Sequence, residues 1–161
     1  MPRGRVFPFE PRTTASVRPG DFWAIPTRRG GWYCCGRVLA TGSAGSLGRR
    51  TALVVGLMDW CEPHPPTADA LAGAVVTDHG ATHVRTVRET GGPLLGHRPL
   101  ESDGGLDALL AGRPVHDDLV GWGYASIEVR AHALFGRHFP DTPAVATGRP
   151  APLLLRWYER D

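Results

Sequence analysis

The chain has few of the features that mark a secreted, membrane-bound or disulfide-stabilised protein. It contains three cysteines in 161 residues, two of them the neighbours Cys34 and Cys35. Such an odd set offers no disulfide framework, and reduced thiols are the simplest interpretation. The sequence has no uncharged apolar run of about 18 residues, the length that a membrane span requires, and its first residues lack the apolar core of a signal peptide. We therefore expect a cytoplasmic protein with no membrane partner.

Motifs of the common enzyme classes are also missing. The sequence has no Gly-x-Ser-x-Gly elbow, no phosphate-binding loop and no dinucleotide-binding fingerprint. Lysine is absent, and the 18 arginines outnumber the acidic residues by only two. That small net charge does not by itself indicate nucleic-acid binding, which needs several clustered cations. We therefore expect no enzymatic activity and no catalytic residues.

What the sequence does contain is enough apolar material for one folded domain. Hydrophobic residues make up 42% of the chain and charged residues 21%, as in soluble globular proteins. A chain of this length buries roughly 70% of its unfolded surface. We interpret residues 1–161 as a single domain, in which the proline-rich residues 1–17 form an extended N-terminal arm.

The strongest structural signal is a predicted β-hairpin. Two apolar, aromatic-rich runs, residues 18–27 and 32–39, are joined by a short connection that contains glycine. Both faces of these runs are apolar, so part of the hairpin should lie inside a sandwich or a closed sheet. Residues 49–58 predict the third strand of a meander, and the prolines at 63, 65 and 66 should end its ladder pairing.

The remaining segments carry weaker patterns. Residues 67–73 predict one or two helical turns with Thr67 as N-cap, and the alternation over 83–88 predicts a strand. Shorter elements are expected as a strand over 94–100, a helical turn over 106–110 and a closing strand over 152–159. The best helix lies between Gly123 and Gly136, where apolar residues recur at a spacing of three and four. These elements predict an α+β, mainly β fold: a twisted antiparallel sheet, partly closed like a small barrel, with one C-terminal helix packed on it.

Histidines and cysteines supply the nearest approach to a metal site. The spacings Cys61-x-x-His64 and His79-x-x-x-His83 are close to zinc-binding patterns. The histidine pair would converge on a metal if it lay on a helix, but Gly80 follows His79 and the region is typical of loop and strand. The Cys61–His64 spacing lacks a second matching pair, so structural or solvent-facing roles are the simpler interpretation. The run His116-Asp117-Asp118 could serve acid–base chemistry, but a polar loop that caps a following element explains it more simply. We expect no metal and no cofactor.

Large aromatic residues are more informative about function. Trp, Tyr and Arg are enriched at the energetic centres of protein interfaces, and aromatic rings also stack on single-stranded nucleic acid. Arg28 and Arg29 lie between two such rings at the hairpin tip, although any one tryptophan is more simply a core residue. The aromatic residues in question are Trp23, Trp32, Tyr33, Trp60 and Trp122.

Three short segments between residues 18 and 100 occur in a distinctive order. They are Gly20-Asp21-Phe22-Trp23-Ala24-Ile25-Pro26, Gly36-Arg37-Val38-Leu39 and Gly92-Pro93-Leu94-Leu95-Gly96-His97-Arg98-Pro99-Leu100. Together they resemble the immunity protein 26 family, which consists of small cytoplasmic proteins encoded beside bacterial polymorphic toxins. The chain departs from the family pattern at Gly91-Gly92, where an aromatic residue commonly precedes the third segment. The resemblance implies a non-enzymatic protein that binds and neutralises a cognate toxin, commonly a nuclease or another intracellular toxin.

The leading hypothesis is therefore an immunity-type protein whose partner is a cognate protein toxin. An inhibitor of this kind needs only a surface complementary to its partner. One alternative is a nucleic-acid-binding module of small-barrel type, and another is a metal-dependent hydrolase built on His64, His79, His83 and the Asp117-Asp118 pair. The candidate partner contacts, chosen for their expected loop or edge positions, are Arg28, Arg29, Trp32, Asp59, Trp60, Glu62, Asp117 and Asp118.

Overall fold

A computed structural model describes residues 11–27, 31–42, 50–113 and 121–136. It contains five strands and three α-helices in this part of the chain, with single 3-10 turns over Thr14–Ser16 and Leu100–Asp103. The strands are β1 Asp21–Pro26, β2 Tyr33–Thr41, β3 Ala52–Glu62, β4 Val76–His83 and β5 Leu94–His97. The helices are α1 Arg85–Glu89, α2 Leu106–Leu109 and α3 Ser126–Phe135.

The five strands form one antiparallel sheet in the order β4-β3-β2-β1-β5. The predicted hairpin and the meander that continues it are confirmed, because β1 pairs with β2 and β2 with β3. The chain then crosses the sheet after β4, and β5 pairs with the free edge of β1. Among the described strands β4 and β5 are the two edges and do not pair with each other. The expected partial closure into a barrel is therefore not supported.

Apolar residues cover both faces of this sheet. On one face α1, α3 and Trp122 pack over a cluster that we call the first core; on the other face the 66–75 segment and α2 pack over the second core. The first core contains Val17, Trp23, Ile25, Cys34, Val38, Leu53, Val55, Leu57, Val84, Val87, Trp122, Ile127, Ala131 and Phe135. The second core contains Phe22, Cys35, Leu39, Val54, Met58, Trp60, Leu71, Val76, Leu100, Leu109 and Leu110.

Glycines in the strands make room for aromatic rings above them. Gly36 lies directly across from Trp23 in the ladder, and a β-carbon on Gly36 would stand 2.6 Å from Cη2 of the Trp23 ring. Gly96 makes the same space for Phe22 on the neighbouring pair of strands. A glycine in a strand often marks such a close approach. Here each one lets a large ring come close to the backbone of the neighbouring strand.

The segment after β3 differs from the prediction in two places. β3 continues through Asp59 to Glu62, so the prolines end the strand four residues later than expected. The predicted strand over 83–88 is wrong: β4 ends at His83, and α1 follows it. Val84 and Val87 both lie in the first core. A spacing of three residues places two side chains on one face of a helix, so this segment fits a helix although its polar–apolar alternation predicted a strand. β4 itself carried no clear sequence signal.

The remaining predictions differ in their outcome. Residues 67–73 form turns and no helix, although the Thr67 hydroxyl accepts a hydrogen bond from the Ala70 N–H at 3.2 Å. The C-terminal helix is confirmed as α3, which buries Ile127, Ala131 and Phe135. The described part of the N-terminal arm contains the 3-10 turn and is not wholly extended. Residues 1–10 and the predicted closing strand over 152–159 lie outside the described residues.

A buried ionic cluster ties β2 to the connection that follows β5. The Arg37 side chain is fully buried and donates to Asp103 Oδ2 at 2.9 Å and to the carbonyl oxygen of Arg98 at 2.6 Å. Asp103 also accepts two hydrogen bonds from Nε and Nη2 of Arg98, at 2.9 and 2.8 Å. One carboxylate is therefore the shared anionic partner of two guanidinium groups, and this arrangement fixes the 3-10 turn against the second core.

None of the helices in the described part of the chain has the length and apolar character needed to cross a membrane.

Candidate functional site

One depression in the described part of the molecule is a cleft where the end of β3 meets the start of β2 and the end of α3. Its volume is about 450 Å³. We call this depression the β3–α3 cleft. Four of the candidate partner contacts chosen from the sequence line it together, and three further residues complete its walls. The lining residues are Trp32, Asp59, Trp60, Cys61, Glu62, Leu134 and Phe135.

Strand pairing brings the two distant parts of the sequence together at this cleft. Tyr33 and Cys34 at the start of β2 lie opposite Glu62 and Cys61 at the end of β3. The N–H of Thr27 donates to the carbonyl oxygen of Trp32 at 3.0 Å, which places Trp32 at the base of the hairpin loop. The continuation of β3 beyond Met58 therefore builds one wall of the cleft.

Another wall of the β3–α3 cleft is formed by the last turn of α3. Phe135 is anchored in the first core, whereas the preceding Leu134 is 42% exposed. Consecutive helical residues point about 100° apart, so burial of Phe135 turns Leu134 toward solvent. A large apolar side chain therefore stands at the rim of the cleft.

The lining residues differ in how much they offer to a partner. Asp59 and Glu62 are exposed, and Trp32 is half-buried against the first core. Trp60 is only 8% exposed and belongs to the second core, with the His64 ring at 5.7 Å in an edge arrangement. Trp60 therefore supports the cleft from within the sheet, and the exposed carboxylates and Trp32 are the groups that a partner can reach.

Electrostatically the cleft is acidic. The seven lining residues include the two carboxylates of Asp59 and Glu62 and no arginine. A phosphate backbone would be repelled from such a surface, whereas a guanidinium or ammonium group would be attracted. The other four candidate contacts, Arg28, Arg29, Asp117 and Asp118, lie outside the described residues.

Cys61 stands in the cleft wall beside a second thiol. Its Sγ lies 3.8 Å from that of Cys34, which donates a hydrogen bond to it. This bond lowers the pKa of Cys61 and, together with burial, raises the pKa of Cys34. Cys34 belongs to the first core and Cys35 to the second, as expected for neighbours in a strand. Burial raises the pKa of Cys35, which leaves it a packing residue.

A shallower depression of about 340 Å³ lies on the other side of Leu134. Its wall contains an ion pair between Arg130 of α3 and Asp78 of β4. The Arg130 guanidinium also lies 4.7 Å from the centre of the Trp122 ring. These contacts hold α3 to the edge of the sheet and thereby fix the position of the Leu134 side of the β3–α3 cleft.

The histidines singled out in the sequence do not converge. His79 and His83 both lie in β4, where four residues span about 13 Å, too far for both to ligate one ion. His64 lies in the segment after β3, and its ring nitrogen is 3.0 Å from the Pro65 carbonyl oxygen. Within the described ranges, no three His, Cys, Asp or Glu side chains are grouped closely enough to bind a metal.

Sequence reasoning missed a pair formed by Asp21 and His97. Asp21 is buried, its Oδ1 lies 2.8 Å from His97 Nδ1, and its Oδ2 accepts the N–H of Arg18 at 2.8 Å. The carboxylate thus ties β1 to β5 and caps the turn that leads into β1. The sequence signal for this pair is an acidic residue at the start of an apolar run, a pattern that is equally typical of a turn.

The three segments that carry the family resemblance contact one another in the sheet around β1. Gly20, with φ of +102°, bonds through its carbonyl oxygen to the Arg98 N–H at 3.0 Å, and Trp23 lies over Gly36. These residues therefore shape the centre of the sheet and contribute to the fold more directly than to the cleft.

Comparisons of this chain with protein-family models, with curated proteins and with solved structures find no match. Membership of the immunity protein 26 family therefore stays a prediction from the residues quoted for it.

Proposed function

We propose that this protein is a non-enzymatic, immunity-type protein that binds and neutralises a cognate intracellular toxin through the β3–α3 cleft. The observation that carries the proposal is the convergence of Trp32, Asp59, Trp60 and Glu62 in one cleft. All four are among the partner contacts that the sequence predicts. On this proposal the protein is cytoplasmic and belongs to a bacterial polymorphic toxin system.

The chemistry of the cleft defines the kind of toxin surface that fits it. Asp59 and Glu62 are exposed carboxylates beside the half-buried ring of Trp32 and the exposed Leu134. An apolar centre with charged residues at its rim is the usual anatomy of a protein interface. The complementary surface carries arginine or lysine around an apolar side chain. A toxin that acts on nucleic acid needs such a basic surface to bind its substrate, and a cover over that surface would block it.

The cleft would be the centre of a larger contact area. A stable complex buries about 800 Å² on each partner, more than one depression of this size supplies. Trp32 is the expected energetic centre, because buried tryptophans at interface centres commonly contribute 2 kcal/mol or more. The carboxylates should act mainly on the association rate and on partner choice. Arg28 and Arg29 precede Trp32 by four and three residues in the sequence and are candidates for the surrounding contacts.

Affinity capture with matched variants tests this proposal. The wild-type chain, Trp32→Ala, Asp59→Arg and Glu101→Arg are tagged, used to capture proteins from lysate, and compared by quantitative mass spectrometry. Glu101 is the control, because it is an exposed acid on the 3-10 turn that packs over the other face of the sheet. The captured partner is then purified and assayed for toxic activity with and without the protein.

We expect a partner that the wild-type chain and Glu101→Arg retain equally and that the two cleft variants lose by at least tenfold. One equivalent of the protein should abolish the partner's activity, and the complex should form more slowly as salt is raised. Equal retention by all four chains would contradict the assignment of the cleft. A partner whose activity is not inhibited would contradict the immunity function. Captured nucleic acid with a steep salt dependence would instead favour the small-barrel binding module.

A further inference from the structure

Two thiols that are 27 residues apart in the chain face each other across the ladder between β2 and β3. Cys34 and Cys61 occupy directly opposite positions, and their sulfur atoms are 3.8 Å apart. Cys34 is fully buried in the first core, whereas Cys61 is half-buried and lines the β3–α3 cleft. Only one member of the pair is therefore open to a reagent from solution.

The backbone places these residues within reach of a disulfide. Opposite residues of an antiparallel pair have Cα atoms about 4.5–5.5 Å apart, which falls inside the range of about 4.4–6.8 Å seen for disulfides. The sulfur atoms are 3.8 Å apart and must approach to the S–S bond length of about 2.05 Å for the disulfide to close. Cys35, the immediate neighbour of Cys34, lies in the second core on the other face of the sheet.

The hydrogen bond between the thiols makes the two sulfur atoms chemically different. Because Cys34 donates to the Cys61 sulfur, the bond stabilises negative charge on Cys61 and lowers the pKa of that thiol. The same bond and burial raise the pKa of Cys34. The thiolate is the reactive form of cysteine, so the more exposed member of the pair is also the more nucleophilic one.

We propose that Cys34 and Cys61 are a redox-active thiol pair, in which Cys61 reacts with a small hydroperoxide in the cleft and Cys34 then closes a disulfide. In the first step the Cys61 sulfur attacks the terminal peroxide oxygen. An S–O bond forms, the O–O bond breaks, and the leaving alkoxide takes a proton to become an alcohol, or water for hydrogen peroxide. Cys61 is then a sulfenic acid.

In the second step the Cys34 sulfur attacks the sulfur of the Cys61 sulfenic acid. The S–S bond forms, the S–O bond breaks, and the departing hydroxide leaves as water with the proton of Cys34. The two thiols together supply the two electrons that reduce one peroxide. A small-molecule thiol reverses the change by exchange at the exposed Cys61 sulfur. This inference uses the cleft as an access route only and stands whether or not a toxin binds there.

Oxidation of the full-length protein tests the inference. The protein is reduced, freed of reductant, exposed to a small excess of hydrogen peroxide, quenched with catalase, and treated with N-ethylmaleimide under denaturing conditions. The three thiols should fall to one, with the protein still monomeric on a non-reducing gel. Trypsin should release a crosslinked species of peptides 30–37 and 51–85, with the mass of the two peptides less two hydrogens plus one N-ethylmaleimide group on the free Cys35.

Variants assign the sulfurs, because Cys34 and Cys35 share one tryptic peptide. Cys35→Ser should still form the disulfide, whereas Cys61→Ser should lose no thiol under the same exposure. Cys34→Ser should leave a Cys61 sulfenic acid that dimedone labels. A bond between Cys34 and Cys35, or three intact thiols in the wild-type protein, would overturn the proposal. Peptide mapping of the wild-type protein and Cys35→Ser decides the question even if the Cys34 variant does not fold.

Discussion

The ionic cluster around Asp103 gives the sharpest test of how this fold is held together. We predict that Asp103→Asn strongly destabilises the protein, because Asp103 is the shared anionic partner of Arg37 and Arg98. The side chains of Arg37 and Asp103 are 0% and 5% exposed, and that of Arg98 is 17% exposed. Water cannot replace the lost carboxylate at such depth.

The expected magnitude follows from this burial. Removing one partner of a buried ion pair costs about 3–5 kcal/mol, since a charged group is left buried without compensation. Arg37 would keep its hydrogen bonds to the carbonyl oxygens of Arg98 and Pro99, and the asparagine amide oxygen could accept a further one, but no anionic partner would remain. A loss of that size is a third or more of the total stability of about 5–15 kcal/mol that is typical of a domain.

Urea unfolding followed by tryptophan fluorescence measures the effect. With a denaturant dependence of about 2 kcal/mol/M, the midpoint should fall by about 1.5–2.5 M. Asp107→Asn is the matched control, because Asp107 is an exposed acid in α2, and its loss should cost less than about 1 kcal/mol. In the Arg37→Met background, Asp103→Asn should cost less than in the wild type, since the most deeply buried cation is gone.

The ionic cluster around Asp103 should also make the stability of the protein depend on pH in the acid range. The hydrogen bonds from Arg98, and behind them Arg37, hold the pKa of the Asp103 carboxyl below its usual range, although burial opposes this shift. A carboxyl whose pKa is lower in the folded state contributes stability that is complete above its unfolded pKa of about 3.9. That contribution is lost as the pH falls through the folded pKa. The wild type should therefore lose more stability than Asp103→Asn between pH 5 and the acid unfolding transition.

The reasoning would be refuted if Asp103→Asn shifted the urea midpoint no more than Asp107→Asn does. It would also be refuted if both variants lost stability equally on acidification. Either result would mean that Arg37 and Arg98 are solvated or re-paired in the folded chain, and that the buried carboxylate does not hold the 3-10 turn on the sheet.

Two further substitutions test the packing of the first core. Gly36→Ala should destabilise by about 1–3 kcal/mol, because the added carbon would overlap the Trp23 ring; thermal unfolding beside Gly121→Ala, whose added carbon meets nothing within 4 Å, should show the difference. Trp23→Phe removes the hydrogen bond of 2.9 Å from Nε1 to the buried Thr90 hydroxyl and part of the ring, so we expect a loss of about 2–4 kcal/mol in urea unfolding. Equal stability of wild type and Trp23→Phe would show that this bond contributes nothing net.

Local patterns in the sequence were sufficient for the first half of the sheet and for α3. Continuous apolar runs on either side of a short connection have few ways to bury both faces, and an antiparallel meander is the simplest of them. The repeat of Ile127, Ala131 and Phe135 has the period of a helix, and the structure buries these three residues. Placement of Cys34 and Cys35 on opposite faces followed from the alternation of a strand alone.

Tertiary structure decided the elements whose local pattern was weak or ambiguous. β4 is stabilised by its ladder with β3 and by Trp122, whose ring lies over Gly80, and neither contact is visible in the residues of the strand itself. The segment after His83 satisfies strand and helix spacing equally, and only its burial against the first core makes it helical. An intrinsic preference of a few tenths of a kcal/mol per residue is easily outweighed by such packing.

For the candidate site, too, some features are predictable from the sequence and others arise only in the tertiary structure. The sequence by itself predicts partner contacts at Trp32, Asp59, Trp60 and Glu62 from their chemistry and expected edge positions. Only the tertiary structure decided that they share one cleft, that Trp60 lies mostly in the core, and that Cys61 faces Cys34 across the ladder. The physical reason is that composition and spacing carry information only about residues that are close together in the sequence. The register between strands, the ion pairs of Asp103 and the position of Leu134 arise from contacts between segments tens of residues apart.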